Sequence, residues 1–227
     1  MIPAPLLVLA GAGSGKTETL IRRVADLILT GEAPNRLLCI TAKAASEMRS
    51  RLAARLGERT PRWIGTFHAV MAWLLIEDGA GVPGLPRGFA ILGQRDARAL
   101  LMQVAGMTPK RRAYCWGWRR CSRTAWSPTP AACPAPRRFF VSSQRSWRGP
   151  LASVLPAYQA ALAQRQARDF DDLIAWPVAA MRADPILANR WSGRWAEILL
   201  DEYQDTNHAQ HALVGLLAGT AGRVPPN

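Results

Sequence analysis

The chain has 227 residues, 49% of them hydrophobic, and a formal net charge of +13. That is enough for one α/β domain with a smaller unit and a buried core. No apolar run approaches the roughly 18 to 20 residues of a membrane helix, and Cys39, Cys115, Cys121 and Cys133 match neither a C-x-x-C knuckle nor a dense disulfide framework. A membrane protein and a disulfide-stapled domain are therefore excluded, and a cytoplasmic protein with reduced thiols is expected.

The first residues loosely resemble a signal peptide but lack its basic start and run into a glycine-rich loop. Residues 6–9 (LLVL) form a short, fully apolar run, the pattern of a buried parallel strand. After the loop, Leu20, Ile21, Val24, Leu27 and Ile28 recur at helical spacing, with Gly31 just past the end. Residues 37–41 read as a second strand, followed by a helix carrying Met48, Leu52 and Leu56 on one side and stopping at Gly57. Residues 63–66 make a third strand, and Phe67, Val70, Met71, Leu74 and Leu75 mark the helix after it. Alternating strands and helices imply a parallel sheet covered on both faces.

A Gly/Pro-rich break at 79–88 precedes two largely helical stretches, 94–104 and 151–181, before the sheet resumes at 197–201 and a helix follows from Asn207. The expected organisation is a nucleotide-binding core over 1–88, a helical accessory subdomain over 89–185, and the rest of the core over 186–227. Residues 97–168 hold no Asp or Glu but thirteen of the 29 Lys and Arg, leaving 16 basic against 16 acidic residues elsewhere, so the positive charge is a local excess. Within it, residues 107–150 show neither helical nor strand periodicity and hold Trp116, Trp118, Trp126, Trp147 and three cysteines. Two readings stand: a basic-aromatic loop that stacks bases and grips phosphates, or GC-rich codons translated out of frame between two compensating shifts.

The chemistry lies in two motifs. Residues 10–17 read AGAGSGKT, against the P-loop pattern G-x-x-x-x-G-K-[ST], with Ala10 at the first glycine position. Backbone N–H groups of Ala12, Gly13, Ser14 and Gly15 would close around phosphate oxygens at a helix N-terminus, where dipole and unpaired donors favour anions. Lys16 would reach the terminal phosphates of ATP, and the Thr17 hydroxyl would ligate Mg²⁺. Residues 198–202 read ILLDE, a buried strand ending in Asp201, a Mg²⁺ ligand, and Glu202, an acceptor for the proton of attacking water.

With ITAKAASEM at 40–48, GTFHA at 65–69, DFDDL at 169–173 and LDEYQDTN at 200–207, the chain resembles superfamily 1 DNA helicases of the UvrD/Rep/PcrA type over most of 4–106 and 151–218. The resemblance implies a RecA-like P-loop fold and ATP hydrolysis coupled to 3′-to-5′ movement on single-stranded DNA or on DNA with a 3′ single-stranded tail. It assigns Gln204 to linking the γ-phosphate with DNA, and Thr41, Thr66, Phe67 and His68 to contacts with single-stranded DNA. On their own residues, Phe67 reads as core, His68 as a helix start, and Asp169 and Asp172 as solvated helix-start acids without assigned chemistry.

The chain departs from the family at Ile40 and Ala42, where an aromatic and an asparagine are usual. It starts after the family's adenine-reading glutamine and ends before its second RecA-like domain and catalytic arginines, so the 227 residues alone are expected to bind nucleotide rather than unwind DNA. The competing reading is a nucleic-acid-binding module that works through its Arg/Trp segment and keeps a vestigial P-loop.

Overall fold

The computed structural model describes residues 6–9, 13–41, 45–78, 82, 84–106 and 151–219. The Arg/Trp segment 107–150, three of the four cysteines, and Ala12 and Ala42 lie outside the described residues. The chain divides into two compact units, Met1–Trp73 with Pro185–Thr206 and Gln210–Asn227, and Leu74–Asp184 with Asn207–Ala209.

The first unit is built on three parallel strands in the order β2-β1-β5: β1 (Leu37–Ile40), β2 (Trp63–Gly65) and β5 (Glu197–Leu200). All four residues of β1 are buried, as a central strand covered on both faces requires. Helix α1 (Lys16–Leu29) buries Ile21, Val24, Ala25 and Ile28 on one face. That face meets Met48, Leu52 and Leu56 of α2 (Ala45–Leu56) together with Leu37, Cys39, Ile64 and Leu199 from the strands. Each fully buried leucine or isoleucine stabilises the unit by roughly 1.5–3 kcal/mol. Helix α1 closes with Glu32 N–H on Leu27 O at 2.8 Å and Gly31 N–H on Ile28 O at 3.2 Å, the paired bonds of a Schellman cap. Cys39 is a free thiol in this core, its pKa pushed up to about 12 by burial and then by Glu197, which keeps it protonated and inert.

Residues 6–9 correct the sequence reading. They form no strand, and their exposures are 89%, 50%, 55% and 85%. Apolarity alone names no ladder partner, and a run this short has no period to specify one. Among the described residues, β5 pairs only with β1.

Helix α3 (Phe67–Asp78) crosses the boundary between the units at Trp73. The second unit contains α4 (Gln94–Val104) and α5 (Leu151–Gln164), which share a core of Leu100, Leu101, Tyr158, Ala161, Leu162 and Ala167. It also holds a two-residue parallel ladder between β3 (Ala90–Ile91) and β4 (Ala167–Arg168), which the largely helical reading missed, and α6 (Asp172–Ala183). Helix α7 (Pro185–Ser192) returns the chain to the first unit, and α8 (His208–Leu217) follows β5. No helix among the described residues is long and apolar enough to cross a membrane.

Asp169 and Asp172 are not solvated. They are 6% and 8% exposed, beside Arg168 at 4%. Asp169 accepts the Tyr158 hydroxyl at 2.9 Å and the Asp172 backbone N–H at 2.9 Å, so it caps the start of α6 from inside. Arg168 donates to Gly84 O at 2.8 Å and lies 4.1 Å from the Trp176 ring centroid. The sequence shows acids at a helix start; it does not show that the neighbouring tyrosine, arginine and tryptophan enclose them.

Candidate functional site

The three parallel strands end in register. Ile40 pairs with Gly65 on one side and Leu200 on the other. The next residue of each strand is therefore Thr41, Thr66 and Asp201, a row along the carboxyl edge of the sheet, where parallel α/β sheets bind ligands. The ladder carries into that row, with Thr41 N–H on Gly65 O at 3.1 Å and Asp201 N–H on Ile40 O at 2.9 Å.

The described end of the glycine-rich loop, residues 13–17, reaches the row at Asp201. Gly13 and Gly15 take φ of 75° and 83°, left-handed values that a side chain would strain. A Cβ built at either touches nothing within 4 Å, so backbone conformation rather than crowding selects glycine there. Gly15 precedes α1, and Lys16 and Thr17 open that helix, placing the loop at its positive end. The Thr17 hydroxyl then lies 3.3 Å from Asp201 Oδ2, 184 positions away in the chain.

Asp201 is 7% exposed, and its second oxygen accepts the Glu202 backbone N–H at 3.1 Å. Glu202 has φ 54° and ψ 47°, a left-handed conformation that costs a non-glycine residue roughly 1–2 kcal/mol. Strain of that kind collects where a side chain must be aimed. Gln204 Nε2 donates to Glu202 Oε2, so these two candidates touch.

Among the described residues, no group of three or more His, Cys, Asp and Glu could enclose a metal. A buried carboxylate beside a hydroxyl suits Mg²⁺, which binds through one or two carboxylates and completes its shell with water and substrate phosphates. The residues present fit that ion only with a phosphate ligand in the loop.

The segment after β2 divides by burial. Thr66 Oγ1 accepts the Ala69 N–H at 3.3 Å and caps α3. Phe67 is 8% exposed and belongs to the core, while His68 is half-buried, with burial lowering its pKa toward the neutral imidazole. Thr41 is 1% exposed. Thr41 and Thr66 thus share the edge with Asp201, whereas Phe67 faces inward.

Residues 2–224 match the UvrD/REP helicase N-terminal domain. The chain belongs to that family. Its α/β core is accordingly of the RecA-like P-loop type, with a parallel sheet and a glycine-rich loop opening α1. The ATP-dependent DNA helicase UvrD1 of Mycobacterium tuberculosis (strain ATCC 25618 / H37Rv) is 37% identical over 98% of this chain and 30% of its own length. ATP-dependent DNA helicase PcrA of Leuconostoc citreum is 37% identical over 94% of the chain and 29% of its own length. DNA helicase II of Haemophilus influenzae is 32% identical over 98% and 32% respectively. The chain therefore spans about three-tenths of the length of these relatives.

A Cβ on Gly65 would stand 3.3 Å from two atoms of the Trp73 ring and 3.3 Å from Val70 Cγ2. Gly65 is small because Val70 and the Trp73 indole of α3 lie against the strand, a long-range packing contact that no local spacing announces.

Proposed function

We propose that these residues form the ATP-binding first part of a DNA helicase that couples ATP hydrolysis to 3′-to-5′ movement along single-stranded DNA. The observation that carries this reading is the convergence of Thr17 on Asp201 at the carboxyl edge of the parallel sheet. Two motifs 184 positions apart meet where a phosphate-bound cation would sit.

In this reading, the backbone N–H groups of residues 12–15 and Lys16 hold the β- and γ-phosphates, and Thr17 with Asp201 holds Mg²⁺. The ion supplies charge neutralisation on the phosphate oxygens when bound. Glu202 orients the attacking water and takes its proton, and Gln204, bonded to Glu202, ties the γ-phosphate end of the site to DNA. Thr41, Thr66 and His68 contact the DNA along the strand ends, and Phe67 supports them from the core. Because Thr41 and Asp201 flank the same two residues of ladder, Ile40 and Leu200, a change at the phosphate end has a short path to the DNA end.

ATP hydrolysis by the chain, followed with and without a single-stranded oligonucleotide, tests this function. Stimulation of hydrolysis by the oligonucleotide is the expected result; a folded chain that binds neither Mg²⁺-ATP nor single-stranded DNA contradicts it.

A further inference from the structure

The second unit holds a buried polar cluster that the function proposed above does not use. Asp169 and Asp172 lie in it with Arg168, which hydrogen-bonds two carbonyl oxygens, Ala167 O and Gly84 O, and neither carboxylate. The two acids are not equivalent. Asp169 accepts the Tyr158 hydroxyl on Oδ2 and the Asp172 N–H on Oδ1, so both of its oxygens are served. Asp172 accepts Gln159 Nε2 on Oδ1 at 3.4 Å, while its Oδ2 is buried without a hydrogen-bond partner.

That atom has a counterpart. Gln159 Oε1, on the same amide that serves Asp172 Oδ1, is also buried without a partner. An ionised carboxylate oxygen and an amide oxygen are both acceptors, so neither can satisfy the other, and leaving both unpaired inside the fold is costly. A hydrogen on Asp172 Oδ2 makes that atom a donor and removes both deficits at once. Turning the Gln159 amide over does not, because its oxygen then faces Asp172 Oδ1 and a hydrogen is still missing.

We propose that Asp172 carries a proton on Oδ2 and donates it to Gln159 Oε1, closing an acid–amide pair that latches α5 to the first turn of α6 and opens when the proton leaves. The charged and titratable neighbours agree with this. Burial, and then Asp169, push the Tyr158 hydroxyl on α5 up, so it keeps its proton and donates it to Asp169; Asp171 acts on it in the same direction. At Asp172, burial and after it the charge of Asp169 outweigh Arg168 on β4 and raise the pKa from 3.8 to about 7. A carboxyl raised in the folded state stabilises the closed pair at acid pH, and the contribution is lost as pH rises through the folded pKa. The latch therefore opens toward neutral pH. It belongs to the second unit alone and does not depend on the nucleotide site.

The test combines isotope-edited infrared spectra of the full chain, labelled at its aspartate carboxyl carbons, with hydrogen-exchange protection of α5 and α6. At about pH 5.5, between the unfolded and folded pKa, the unaltered chain is expected to show a protonated-carboxyl band that Asp172→Asn lacks. Gln159→Met is expected to move that band toward a carboxyl without hydrogen bonds. Protection, corrected for the intrinsic pH dependence of exchange, is expected to fall by up to about tenfold per pH unit between about pH 5 and pH 7, the slope of one linked proton. Asp172→Asn, whose amide supplies the missing hydrogen at every pH, is expected to hold protection level across that range. Absence of the band in the unaltered chain overturns the proposal in favour of an ionised carboxylate that a buried water joins to Arg168 Nε, the third unpartnered atom of the cluster. A band that Gln159→Met leaves unmoved, or protection in Asp172→Asn that still falls with pH, overturns it as well.

Discussion

The Thr17 hydroxyl lies 3.3 Å from the Asp201 carboxylate, although 184 positions separate them in the chain. The contact joins the first turn of α1 to the end of β5, bringing the loop's end and the acidic strand together. Thr17→Ala is expected to weaken Mg²⁺-nucleotide binding by about tenfold, the range of a hydrogen bond or ligand bond to a charged partner. Titration with a fluorescent ATP analogue measures it. Equal affinity in the variant would remove Thr17 from the site.

Glu202 is predicted to separate binding from turnover. Glu202→Gln retains a polar side chain in the same strained backbone, so nucleotide affinity stays within about threefold while hydrolysis falls by at least about 10²-fold, the usual share of a general base. Single-turnover hydrolysis at saturating nucleotide reads the second quantity. Loss of binding with hydrolysis would make Glu202 a structural residue instead.

Gly65→Ala places a methyl group 3.3 Å from Trp73 and Val70. The overpacking is expected to destabilise the first unit by about 1–3 kcal/mol. Urea unfolding measures the loss, and pairing the change with Trp73→Leu should recover part of it. No loss in the single variant would show that the indole moves aside freely.

The buried acids of the second unit carry a pH signature. Burial, and after it the charge of Asp169, raises the Asp172 pKa from 3.8 to about 7. A carboxyl whose folded pKa lies above its unfolded value stabilises the fold while protonated, and this contribution disappears as pH rises through the folded pKa. Stability of the unit should therefore fall between about pH 4 and pH 7, and Asp172→Asn should flatten that slope. Thermal melts across the range test it; a slope of the same size in the variant assigns the effect elsewhere.

Much of the core could be read before the structure. The helical spacing of Ile21, Val24 and Ile28 named α1, because a period of 3.6 specifies a helix with one buried face, and the apolar run of β1 matched a buried strand that finds partners on both sides. The row of Thr41, Thr66 and Asp201 was less legible. Motifs named these residues singly, but strand order and register set them side by side, and register depends on long-range pairing. Residues 6–9 and the pair Asp169/Asp172 failed for a related reason: the one has the composition of a buried strand without a partner, and the other has charges whose enclosure comes from Tyr158, Arg168 and Trp176.

The basic segment 107–150 gives a discriminating experiment. Replacing it with a short Gly/Ser linker between Gly106 and Leu151 is expected to leave salt-dependent binding of single-stranded DNA unchanged, because the proposed contacts lie on the first unit. Disappearance of binding on that replacement would favour the module that works through its tryptophans and arginines.

The loop and the end of β5 are proposed to form one Mg²⁺-dependent nucleotide site. Isothermal titration of the chain with a non-hydrolysable ATP analogue, with and without Mg²⁺, and of Lys16→Ala and Asp201→Asn, tests it most directly. Binding is expected to require Mg²⁺ in the unaltered chain, to be abolished in Lys16→Ala, and to lose its Mg²⁺ dependence in Asp201→Asn. Binding indifferent to both substitutions, or none by the folded unaltered chain, would contradict it.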